Sequence, residues 1–223
     1  MRVGVGVGIE QGPKRRVFAQ AVDWPGWCRA GRDADKALTA LAAYLPRYRA
    51  AVGGLAADLP AGEPTLEVIE TVAGDVTTEF GAPGKVMTFD RRPLQSGEPE
   101  RLAAFLDACW AAFDAAQAAI PAEARAVKPE VGRAPERMRM HIDDAQRAYV
   151  SWLAKPVPRL DEARLDETES ALRGFFRAAV LSLPVGVAFA DERHPGPYAV
   201  RRECWHVLDH VWELGDRAAS ASG

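Results

Sequence analysis

The apolar residues of this 223-residue chain change their period once, and the change limits the folds open to it. Near the N-terminus they recur every second residue: Val3, Val5, Val7 and Ile9 alternate with Gly4, Gly6 and Gly8. Period two turns one face of a strand toward a core. From about residue 98 onward the spacing becomes helical, as in Leu102, Phe105, Leu106, Cys109, Trp110 and Phe113. The expected fold class is therefore α+β, with a sheet in the first third and helices in the rest. The length suits one large domain or two small ones.

Punctuating residues place the elements. Strand 2–9 ends at the turn Gly12-Pro13-Lys14, strand 16–22 at Asp23-Trp24-Pro25-Gly26-Trp27, and a short third strand is expected at 28–30. Asp33 is the expected N-cap of a helix over 36–52, which Pro46 must kink or divide and Gly53-Gly54 must end. A strand follows over 65–72. Residues 76–97, broken by Gly81-Ala82-Pro83-Gly84, read either as a linker or as an ordered connection packed on both parts, with a short strand at 86–89. Helices are then expected over 100–120, 136–153, 161–183 and 198–218, separated by loops that carry Pro121, Pro129, Gly132 and Pro135 or Pro184 and Gly196. Helices of that length and number predict a four-helix bundle. The expected division is a small α+β domain over 1–75, a linker over 76–97 and the bundle over 98–220.

Composition excludes several functions. The net charge of -3, with nine basic residues against nine acidic ones in 1–75, gives no excess of positive charge for tracking phosphates, so nucleic acid is not expected as a partner. No apolar run is long enough for a membrane span. Without a signal-peptide pattern the expected location is cytoplasmic. Cys28, Cys109 and Cys204 are odd in number and far apart, which predicts buried reduced thiols rather than a disulfide framework or a cysteine zinc site. The Gly4, Gly6, Gly8 series resembles part of a dinucleotide fingerprint, but a second strand follows it where that fingerprint requires a helix.

The chemistry concentrates in the histidines. Of four in the chain, His206 and His210 lie four residues apart on the last expected helix, so both rings share one face one turn apart. A helix offers two nitrogens to one metal ion in this way. His141 lies mid-way along the second bundle helix, on its expected inner face. Glu203, His206, His210 and Glu213 form one stripe at i, i+3, i+7 and i+10; Asp144 lies three residues after His141. Glu203, Glu213 and Asp144 are thus alternative ligands or hydrogen-bond orienters for a metal bound by His141, His206 and His210. The competing expectations are hydrogen-bonded core histidines and an exposed polar face. Arg201 and Arg202, in the first turns of the last helix, are either anion-binding or solvated. His194 is expected in a surface loop, and Trp24 and Trp27 are expected to pack on the bundle or on a second subunit, a homodimer.

Two family resemblances attach to these residues. Trp24-Pro25-Gly26-Trp27-Cys28-Arg29-Ala30-Gly31-Arg32-Asp33, running into an Ala/Leu helix between strands, resembles the HicB-like domain, which implies a small α+β partner-binding module. Met140-His141-Ile142-Asp143-Asp144-Ala145 in the second bundle helix and Trp205-His206-Val207-Leu208-Asp209-His210 in the fourth resemble the DinB/YfiT-like superfamily over about 98–220. That resemblance implies His141, His206 and His210 as ligands of one zinc or nickel ion. It also implies a transfer or hydrolysis on a small-molecule substrate, with a low-molecular-weight thiol as co-substrate. The alternative is a non-catalytic binding or regulatory protein that uses the bundle as a scaffold.

Overall fold

The computed structural model describes residues 4–121 and 132–221, the last three by backbone alone, so the expectations for Val3 and Pro129 lie outside the described residues. Strand β1 (Gly4–Gln11) turns at Gly12 into β2 (Val17–Ala21), which pairs antiparallel with both β1 and β3 (Cys28–Gly31). Strand β4 (Thr65–Ala73) returns parallel to β1, giving the order β3-β2-β1-β4. The chain is α+β, as its periodicity predicts.

Between β3 and β4 the expected helix is divided. Asp33 caps α1 (Ala34–Ala43) by accepting the Lys36 N–H at 2.8 Å. Pro46 cannot donate to Ala42 one turn back, so α1 stops at Tyr44 and α2 (Leu45–Val52) starts with the proline in its first turn. Val5, Val7 and Ile9 of β1 are buried in one continuous core with Leu41 and Tyr48, and that core runs on into Phe105, Leu106, Val207 and Leu208 of the helical part. The glycine face of β1 is closed by neighbours: a Cβ on Gly8 would collide with Met87 Sδ and lie 2.8 Å from Phe89 Cε1. β1 thus leads into a hairpin, with Gly8 covered by side chains and Gly4 exposed.

Residues 76–97 are an ordered connection. After α3 (Val76–Phe80) the backbone of Gly84 and Lys85 donates to buried Glu10 of β1 at 2.9 and 3.0 Å. The short strand expected at 86–89 is absent. A 3-10 turn, Thr88–Arg91, forms instead because Asp90 reaches back to accept the Met87 N–H at 2.8 Å. Helices α4 (Glu98–Ala118), α5 (Pro135–Val150), α6 (Leu165–Leu181) and α7 (Gly196–Ala221) then make the bundle. α7 packs against α4 and α5, and α6 closes the other side against the same two. Among the described residues no helix is long and apolar enough to cross a membrane.

The tryptophan loop joins sheet to bundle. Trp27 is fully buried, stacks on Tyr48 at 5.7 Å and donates its indole N–H to Leu41 O at 2.8 Å. Trp24 meets the Phe105 ring of α4 edge-on at 6.5 Å. Gly26 between them has φ of +90°, and a Cβ there would lie 2.8 Å from Leu208 Cδ1 of α7. Only glycine supplies both the left-handed backbone and that close approach.

Candidate metal centre

His141 projects from α5 and His206 and His210 from α7, at the line where these helices meet. One ligand atom from each lies within 4.8 Å of the other two. His206 Nε2 and His141 Nε2 are 3.1 Å apart. Two nitrogens bound to one tetrahedral zinc at about 2.05 Å each would be about 3.3 Å apart, so the His141–His206 pair already stands at the spacing a shared metal needs. A shared proton between two neutral rings would give a similar distance. The rings lie at steep angles, 86° between His141 and His206 and 83° between His141 and His210, so their edges converge. His206 and His210 are 7% and 9% exposed, which removes the expectation of a solvent-facing stripe.

Neighbouring groups set the charge and orientation of the rings. Burial holds His206 well below the usual histidine range, helped by His210 and His141 and by Arg202 and Arg133. Burial, then Arg133 and His210, lowers His141 as well. Neutral imidazole is the form that ligates. Glu213 accepts from His210 Nδ1 at 2.8 Å and is gripped by Arg217, which also donates to Arg133 O at 2.7 Å. A carboxylate on Nδ1 favours the Nδ1–H tautomer of His210 and leaves Nε2 as the nitrogen that can ligate. His206 Nδ1 has no such partner.

The remaining candidates divide. Glu213 is hydrogen-bonded to His210. Asp144 is exposed, raises His141 through space and lines the open cleft beside that ring, outside the ligand group. Glu203 is also outside the ligand group. It is fully buried and accepts from Trp110 Nε1 at 2.9 Å. Arg201 and Arg202, named as anion-binding or solvated, are both buried and already engaged by the protein's own groups. Arg201 pairs with Asp90 at 2.6 Å, and Arg202 donates to Pro83 O at 2.8 Å and Tyr149 Oη at 3.2 Å. The second turn of α7, which carries them, is covered by the connection 76–97 and by β2. His194 stacks on Trp152 at 4.1 Å and is not a member of the three-histidine group. All three cysteines are free and buried.

Sequence reasoning missed a polar group inside the bundle. Asp143 and Gln146 of α5 and Glu203 of α7 are each at most 1% exposed, with Asp143 Oδ2, Glu203 Oε2 and the Gln146 amide lacking hydrogen-bond partners. The signal was available in Asp143 and Gln146, polar residues three apart beside the apolar positions Ile142 and Tyr149. Burial pushes the Glu203 carboxyl up to about 8, so it is protonated at neutral pH. The folded chain therefore holds a proton that the unfolded chain, at 4.5, has released. The stability this group contributes is complete below about pH 4.5 and is lost as pH rises through about 8. Between about pH 5 and pH 8 the wild type is expected to lose up to about 1.4 kcal/mol per pH unit relative to Glu203→Gln. Urea unfolding of the metal-free proteins checks this; parallel pH profiles would contradict it.

No family model, curated protein or solved structure matches the chain.

Proposed function

We propose that the protein is a divalent-metal-dependent enzyme of the DinB-like type, with His141, His206 and His210 holding zinc or nickel and a small-molecule substrate reacting there through a thiol or water. The observation that carries this reading is the convergence of three histidines from two helices within 4.8 Å, one of them oriented by a carboxylate. Three neutral nitrogens leave a position free, which is the arrangement of reactive rather than structural sites. When bound, such a metal supplies a Lewis acid that lowers the pKa of a coordinated thiol or water. The chain's own part is to present the three rings, to hold His210 through Glu213 and Arg217, and to wall the inner side with Tyr149 and Trp205. Cobalt(II) reports the free position directly. Adding a simple thiol to the cobalt-loaded protein is expected to produce a sulfur-to-cobalt charge-transfer band; unchanged spectra at saturating thiol would argue against a reactive site.

A second reading, a partner-recognition protein with a HicB-like N-terminal part, is favoured by one observation. Edge strand β4 leaves Val68 and Ile69 45% and 55% exposed, and Phe80 just beyond it is 92% exposed. On that reading the histidines are a closed core cluster and cobalt does not bind.

A further inference from the structure

His141, one of the three histidines, lines a cleft of about 740 Å³ beside α5, and the charges in that cleft are unbalanced. It is lined by His141 and by Arg133, Arg137, Met140 and Asp144. Both arginines are exposed, and among the described residues neither guanidinium is in a hydrogen bond or ion pair. Arg137 lies four residues before His141, one turn N-terminal on the same face of α5. Arg133 is held in place by its backbone: Arg217, already tied to Glu213 and so to His210, donates to Arg133 O at 2.7 Å. Gly132, at φ of +92°, lies so close that a Cβ would collide with Arg217 and sit 2.8 Å from Glu213 Oε1. The buttress of the histidines is thus also the anchor of the arginine.

A cation without an ion-pair partner among the described residues, beside a cation-binding site, weakens that site unless a ligand brings negative charge. The uncapped start of α5 adds to this, because Ala134 at its N-cap offers no side-chain acceptor to the first-turn N–H groups. Asp144, three residues after His141, repels an anion from the opposite end of the cleft. We propose that the substrate class of this centre is a small carboxylate: one atom reaches the position left free by the three histidines, and the carboxylate lies toward Arg133 and Arg137. This rests on the metal reading above and adds the charge and orientation of the substrate to it.

The test uses the cobalt-loaded full chain at low ionic strength and two probes of nearly equal shape, 3-mercaptopropionate and the uncharged 3-mercaptopropanamide. The charge-transfer band is expected to titrate about tenfold more tightly with the acid, the scale of a charge-assisted hydrogen bond. In Arg133→Gln/Arg137→Gln the acid is expected to fall to the affinity of the amide, with cobalt content and amide affinity unchanged. Equal affinities in the wild type would overturn the inference while leaving the metal reading intact. A preference that survives in the double variant would overturn its assignment to these arginines. Cobalt that does not bind, or a band with neither probe, would overturn both readings.

Discussion

His206→Ala is expected to lower zinc affinity by more than about 100-fold while the metal-free protein stays folded. Loss of an outer partner of a metal ligand already costs about 10- to 100-fold, and His206 is proposed as a ligand itself. Its ring is 7% exposed, and its Nδ1 has no partner, so truncation to Ala leaves no hydrogen-bonding group stranded on a neighbour except at His141 Nε2, which is half-buried and open to the cleft. Competition against a chromophoric chelator gives the affinity, and circular dichroism gives the fold. An unchanged affinity would remove His206 from the centre.

The largest loss of stability is expected from Arg201→Met. Arg201 is 4% exposed and Asp90 2% exposed. The guanidinium donates to both Asp90 oxygens, at 3.0 and 2.6 Å, to Lys85 O at 3.1 Å and to the Gln20 side chain. It therefore joins α7 to the connection 76–97 and to β2. Removing one partner of a buried pair strands the other charge and costs about 3–5 kcal/mol, a large part of the roughly 5–15 kcal/mol that holds a domain folded. Asp90→Asn/Arg201→Met, which strands no charge, is expected to recover part of that loss. Urea denaturation of the single and double variants measures the coupling; additive losses would show that the two groups do not act as a pair.

What the sequence could reveal follows from the range of each interaction. The period-two valines, the Asp33 cap and the break at Pro46 are local, and each lies where the spacing predicts it. His206 and His210 share a face by helix geometry alone. The approach of His141 depends on α5 packing beside α7, which the sequence supports only through the apolar face of each helix. Arg201 and Arg202 were unreadable for a different reason. Spacing gives the face of α7 they occupy but not what covers it, and the cover is a segment that looks like linker. The same segment hid the 3-10 turn at Thr88–Arg91, because Val86-Met87-Thr88-Phe89 has strand composition and Asp90 decides otherwise through one hydrogen bond. Buried Glu10, Asp143 and Glu203 share this difficulty: a carboxyl is expected outside, and the partners or proton that hold it inside are distant in sequence.

The measurement that bears most directly on the centre is the metal content of the untagged full chain by elemental mass spectrometry, as purified and after equilibration with zinc or nickel. The account predicts about one equivalent per chain, retained through gel filtration, as three converging imidazoles require. A chain that retains no metal after equilibration would contradict it, and would make His141, His206 and His210 a hydrogen-bonded core cluster.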